Sequence, residues 1–455
     1  METDAPRADP HAVDDASSSG WLASRTHWWA AVATATGLGL ALRLFDIFVR
    51  RHDYDPFRGG DAFYYFHQGR FLASGDGYID PVLKLFLGPT KQSAYHPPLY
   101  GTFLGAVDWL GFDSVDQNRV ASALLGCATI VLIALVARRI AGPRVGVIAA
   151  VAAAFYPPLW INDSMLLSET MAAFVVAAVL FAAYRFHDRP RALGAALLGA
   201  CIALSILTRG ELLLLVPLIL LPLTLSPRVG SWKTRLGYLG AGVAAIVVIV
   251  GPWVGYNLSR FDKPEFISSG TGATLYTGSC HEAWYGAHIG YAGLLCRQPD
   301  LPRSWDESQQ DAYFRRRAID YTKSHWKRAP LVLAARVGRL WYVFDPGQEI
   351  HLDGTAESRG VTTAQLAFAG YAILIPFAIA GVIILHRRKV MILPLVALAV
   401  SVTLAVIVAF GIQRYRVPAD VAIVVAAAVG IDALWSSFAK RHGRRTVSGP
   451  PPRRS

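Results

Sequence analysis

VMILPLVALAVSVTLAVIVAF, residues 390–410, runs for 21 residues without a charge. A helix of about 20 residues, rising 1.5 Å per residue, crosses the roughly 30 Å hydrocarbon layer of a bilayer. Lipid offers no partner to a bare N–H or C=O, so such a stretch closes its hydrogen bonds within itself as a helix. Similar blocks lie at 365–386, 235–257, 191–207 and 144–161. Of the 455 residues 53% are hydrophobic and 17% charged, and the apolar ones gather in these blocks instead of being spread as a soluble core requires. The chain reads as an all-α, multi-pass membrane protein.

The candidate spans number about ten: 28–50, 117–137, 144–161, 166–185, 191–207, 210–225, 235–257, 365–386, 390–410 and 417–437. The net charge of +12 suggests nucleic acid at first sight, but the basic residues sit largely in short loops and in the tail 438–455. Arg138, Arg139 and Arg144, then Arg185, Arg189 and Arg191, then Arg228, Lys233 and Arg235, and finally Arg387, Arg388 and Lys389 fall in alternate loops. Basic loops stay cytoplasmic, so the charge reports topology, not a nucleic-acid partner. Both termini are then inside, with 1–27 a disordered tail that shows no cleavable signal segment. The stretch 97–112, PPLYGTFLGAVDWLGF, is apolar but short and interrupted by Asp108. Read as a span it would invert every later loop, so it is expected to lie along the outer surface.

Two long outer segments result, 51–116 within the core 28–257, and 258–364 ahead of the last helices at 365–437. The second carries 13 Lys/Arg against 12 Asp/Glu. It also holds Cys280 and Cys296, which an oxidising outer compartment would favour as a disulfide; two free thiols in a packed loop are the alternative. Ser304-x-x-Glu307 reads as a capping box. After Pro330, LVLAARVGRLWYVF has helical spacing with Arg336 and Arg339 off the apolar face, as in a helix lying on the membrane surface. There is no internal repeat of the kind that builds many transporters.

The residues that could carry chemistry fall on the outer side. Asp61 opens DAFYYFHQ after Gly59-Gly60, beside the aromatics Tyr64 and Tyr65. A carboxylate with little water around it gains proton affinity, which suits a general base, although an aspartate at a helix start can simply cap it. His96 lies in YHPPLYG, and Asp163 and Glu169 in WINDSMLLSET. Arg209 and Glu211 lie in TRGE, and Arg414, Tyr415 and Arg416 in QRYRVP. Arginines at outer helix ends run against the charge bias, and a guanidinium fork holds phosphate bidentately; snorkelling to lipid headgroups is the ordinary alternative.

In this order these pieces resemble the GT-C superfamily of membrane glycosyltransferases. The nearest likeness is to the branch with the protein O-mannosyltransferases (glycosyltransferase family 39), the aminoarabinose transferase of lipid A and bacterial Rgt-type enzymes. The matching stretches are Asp61 with Tyr64 and Tyr65, HPPLYG, LLSET, TRGE, SHWKRAP and RYRVP, spread over roughly 28–437. Where the mannosyltransferase and aminoarabinose branches carry an Asp-Glu pair, this chain has Asp61-Ala62, which puts a divalent metal at that position in doubt.

The resemblance implies a GT-C-type bundle with interfacial helices in the first outer loop. It also implies transfer of a sugar, with inversion, from a polyprenyl-phosphate donor to an extracytoplasmic glycan, lipid or protein, in the cell membrane. Asp61 would be the base, and Arg414, Arg416 and Arg209 would hold the lipid phosphate. Glu169 would orient hydroxyls of sugar or acceptor. A transporter or flippase would instead want ionisable residues midway through its spans. A polymerase or ligase using lipid-diphosphate donors is the nearer alternative.

Overall fold

The computed structural model describes Leu22, residues 24–56, 60–293, Cys296 and 299–447, with 440–447 as backbone alone. Most of the expected tail 1–27, Gly59 and everything past 447 lie outside the described residues. The described residues are helical except for loops and one isolated bridge, Ile79 to Gln92.

The first half contains α1 (Arg25–Phe45), α2 (Asp61–Ala73), α3 (Pro98–Trp109), α4 (Val115–Ala141), α5 (Pro143–Phe155), α6 (Glu169–Asp188), α7 (Ala192–Thr208) and α8 (Trp232–Arg260). The second contains α9 (Thr271–Gly278), α10 (Glu307–Ser324), α11 (Ala329–Leu340), α12 (Pro346–Thr355), α13 (Val361–Arg387), α14 (Leu393–Val408) and α15 (Val417–Val447). Helix limits follow local chemistry. Ser114 and Gln117 close a capping box at the start of α4, and Gly142, at φ 95°, ends it just before Pro143 opens α5.

Six helices among the described residues are long and apolar enough to cross a membrane: Arg25–Arg50, Val115–Ala141, Glu169–Asp188, Trp232–Arg260, Val361–Arg387 and Gln413–Ala439. The expected span at 144–161 is a bent pair, turned by 65° between Phe155 and Pro157. Proline has no N–H to continue the ladder and clashes with the preceding turn, and here two follow in succession. Three further expected spans are shorter apolar helices, Ala192–Thr208, Gly210–Thr224 and Leu393–Val408. Gly210–Thr224 is broken into one-turn pieces beside Pro217 and Pro222. The count of long spans is therefore six, or seven with the bent pair, where the sequence reading has about ten. Helix α3, at 12 residues or about 18 Å, is too short to cross.

The core is centred on α15, whose residues 417–430 are all buried against α13, α14 and α5. Charges inside this bundle are paired, as a low-dielectric interior requires. Arg43 of α1 binds Asp163 at 2.6 Å, and Arg416 binds Asp420 at 3.0 Å.

Two readings of the second outer segment are corrected. The cap of α10 is Asp306, whose carboxylate accepts from Gln309 N at 2.9 Å while the Gln309 side chain accepts from Asp306 N. Ser304 is held inside a turn closed by Trp305 N and Pro302 O, so it cannot cap. In α11, Arg336 and Arg339 are buried, and it is Leu331, with Val343 just past the helix end, that stands exposed. The cause is the end of α14, whose last carbonyls have no helical partner. Arg336 donates to Ile407 O at 2.7 Å, while Arg339 donates to Ile289 O at 2.7 Å and pairs with Glu349 at 3.0 Å. Cys280 and Cys296 are joined as a disulfide, with Cα atoms 6.2 Å apart.

Candidate active site

The site is built where the amino ends of α2, α6 and α15 meet the end of α7. Gly60 adopts φ 82°, a conformation side chains disfavour, and turns the chain into α2 with Asp61 as its first residue. Asp61 does not cap the helix. Its carboxylate meets Arg414 Nη2 at 2.5 Å and lies 3.4 Å from His96 Nε2. His96 is delivered by the start of α3, which packs tightly on α2 because Gly69 and Gly105 face each other; a Cβ on Gly69 would come within 3.0 Å of the Gly105 backbone.

Arg414 lies in the turn Gln413–Arg416 just ahead of α15. Each of its three nitrogens meets a carboxylate: Nη2 meets Asp61, Nε meets Glu169 at 2.7 Å and Nη1 meets Glu357 at 2.9 Å. Glu169, the first residue of α6, is fully buried and shares its Oε1 with Arg209 Nη1, also at 2.7 Å. Arg209 in turn donates to Glu211 at 2.6 Å and lies over the Tyr415 ring, 4.7 Å from its centroid. Tyr65 walls the site, its ring centroid 4.7 Å from that of His96. Four acids thus surround two arginines, and Asp61 keeps 30% of its side chain exposed, which opens the cluster to a ligand.

Most of the sequence candidates converge here, and three do not. Asp163 is fully buried on Arg43 and Thr170, away from the cluster. Arg416, expected beside Arg414 as a phosphate ligand, turns inward to Asp420, Leu340 O and the Tyr371 ring. Tyr64 packs its ring against His96, centroids 4.8 Å apart, but turns its hydroxyl away to Ser93 at 2.6 Å. Glu169, expected on sugar hydroxyls, spends its bound oxygen on two arginines. Glu357 has no sequence signal, being one acid among the twelve of its segment.

The electrostatics also differ from expectation. Burial does push the Asp61 carboxyl up, but Arg414 and His96 outweigh it and hold the group below the ordinary carboxylate range. Burial pushes the Tyr65 phenol well above its usual value, so it remains neutral. Among the described residues no three His, Cys, Asp or Glu side chains gather as ligands for a metal. The groups at Asp61 do not fit a resident cation, because a guanidinium already sits on the carboxylate.

This architecture has solved counterparts. It matches the archaeal oligosaccharyltransferase AglB from Archaeoglobus fulgidus in complex with an inhibitory peptide and a dolichol-phosphate, at TM-score 0.56 and 16% identity over 96% of this chain and 53% of that one. The apo form of the Archaeoglobus fulgidus oligosaccharyltransferase matches at TM-score 0.54 and 14% identity, over 96% and 54%. The fold is GT-C.

The chain spans about half the length of those proteins. ArnT from Cupriavidus metallidurans bound to undecaprenyl phosphate aligns more loosely, at TM-score 0.43 and 18% identity over 92% of this chain and 80% of that one. Residues 95–254 match the family described as dolichyl-phosphate-mannose-protein mannosyltransferase. That stretch holds His96, Glu169, Arg209 and Glu211 but neither Asp61 nor Arg414. No curated protein matches the chain.

Proposed function

We propose that the chain is a membrane glycosyltransferase that moves a sugar from a polyprenyl-phosphate donor to a hydroxyl on the extracytoplasmic side, with inversion. One observation carries the reading: a partly exposed carboxylate, Asp61, shares Arg414 with the buried Glu169, which also binds Arg209. A base and two phosphate-binding forks thus stand together at one end of the bundle. Asp61 takes the proton from the acceptor hydroxyl, whose oxygen bonds to the anomeric carbon as the bond from that carbon to the phosphate oxygen breaks. The lipid phosphate leaves with the electron pair, held by Arg414 and Arg209. Arg416 and Asp163, spent elsewhere, have no part in this scheme.

The low proton affinity of Asp61 fits the same scheme. A phosphate that shares Arg414 leaves burial less opposed, so donor binding turns a weak base into a stronger one. The basic loops support the sidedness, since they assign the ends bearing Asp61, Glu169, Arg209 and Arg414 to the outside. The matches to GT-C proteins solved with dolichol-phosphate and undecaprenyl phosphate accord with a lipid-phosphate donor.

The test is deletion in the source cell followed by lipid analysis. A polyprenyl-phosphate sugar should accumulate, wild-type protein should clear it, and Asp61→Asn at equal protein level should not. Clearance by the Asp61→Asn protein would remove the base from this role. No accumulation, with altered transport instead, would favour a transporter.

A further inference from the structure

The three carboxylates on Arg414 are not equally fixed. Glu169 is fully buried and shared with Arg209. Asp61 stands at the amino end of α2, where the helix dipole favours a negative charge. Glu357 stands in the turn between α12 and α13, where Thr355, Ala356, Ser358 and Gly360 are exposed. The backbone of that turn is anchored: Arg359 binds Asn162 at 2.9 Å, and its carbonyl accepts from Arg51 at 2.6 Å. The Glu357 side chain is 20% exposed and takes no part in those anchors.

An anion approaching this site meets Asp61, Glu169, Glu211 and Glu357 around Arg209 and Arg414. Its oxygens compete with carboxylates already seated on those guanidinium nitrogens, and the excess of acids repels it. Of the three acids on Arg414, Glu357 is the one set in a turn, neither fully buried like Glu169 nor at a helix start like Asp61. We propose that the Glu357 carboxylate fills, on Nη1 of Arg414, the seat of the donor's phosphate, and that a lipid-linked phosphate displaces it. This inference rests on the donor assigned above. It adds a residue that governs phosphate affinity: Glu357 yields when the donor enters and competes for Arg414 once the sugar has gone.

The experiment is titration calorimetry of the full chain in detergent with a short-chain polyprenyl monophosphate. Glu357→Gln keeps the shape and removes the competing charge, and should bind about tenfold more tightly than wild type. Glu357→Asp keeps the charge and should bind as wild type does, which separates competition from a fold defect. Arg414→Gln should abolish binding. If Arg414→Gln abolishes binding but Glu357→Gln binds no better than wild type, Glu357 is no competitor while the donor assignment stands. If Arg414→Gln binds as wild type does, or no form binds, both fall.

Discussion

Arg414 donates to the Asp61 carboxylate at 2.5 Å across 353 residues of chain. The proposed base is therefore born paired, and its protonation is governed by a residue near the other end of the protein. Because the folded state holds the Asp61 pKa below its ordinary value, the pair stabilises the fold above the usual carboxylate range. That contribution fades as pH falls through the depressed value.

Removing Arg414 should take away the stronger of the two groups that oppose burial, leaving only His96 against it, and so raise the Asp61 pKa. Carbodiimide modifies protonated carboxyl groups, so at about pH 5 Asp61 should resist labelling in the wild type and accept it in Arg414→Gln. Peptide mass spectrometry reads the difference. Equal labelling would show that Arg414 does not set the charge of Asp61.

The two arginines of RYR should behave differently on substitution. Arg416→Met leaves Asp420 buried without its cation and should cost about 3–5 kcal/mol, seen as a lower thermal midpoint. Adding Asp420→Asn should recover part of that loss, since Tyr156 can still bond the amide oxygen. Arg414→Gln should instead act mainly on phosphate affinity. A loss of binding in Arg416→Met protein that melts normally would return Arg416 to the site.

Glu307 should make stability depend on pH. It accepts from Ala94 N at 2.7 Å and from Ser269 Oγ at 2.5 Å, and burial pushes its carboxyl up to about 7. A raised carboxyl pKa means that the folded chain holds a proton that the unfolded chain releases, so stability falls as pH rises from about 4.5 to 7. Glu307→Gln should melt like wild type at pH 5 and above it at pH 8, by on the order of 1 kcal/mol since the residue is only part-buried. Parallel melting curves at both pH values would contradict this.

The disulfide should matter to the stability of segment 258–364. Cys280 and Cys296 are 16 positions apart, and opening such a loop costs about 3 kcal/mol of unfolded-state restriction. Cys280→Ser should melt lower than wild type without reductant, and the gap should close when the wild type is reduced. No difference under either condition would count against the bond.

The membrane helices were legible because lipid imposes a length and a composition that 390–410 or 235–257 display openly. The bend at Pro157 and the broken helix at Pro217 and Pro222 were also in the letters, but a hydropathy window averages over them. Among the site candidates, spacing placed Asp61, Glu169, Arg209 and Arg414 at helix ends without telling which way each side chain turns. Arg414 and Arg416 are two residues apart, and the turn at 413–416 sends one toward Asp61 and the other into the core. Burial misled at Asp61, because the partner that outweighs it comes from a distant helix. Glu357 was illegible since its meaning arises only when Arg414 is beside it.

Glu169 has a consequence for how the protein is made. Synthesis delivers Asp61 first, then Glu169, then Arg209, and Arg414 only 245 residues after Glu169. Until α15 enters the membrane, Asp61 and Glu357 lack the cation they share, and Glu169 has only Arg209. A chain stopped before residue 414 holds the base and the acids but cannot bring them together. The cluster around Arg414 is thus completed only once the turn ahead of α15 has been made.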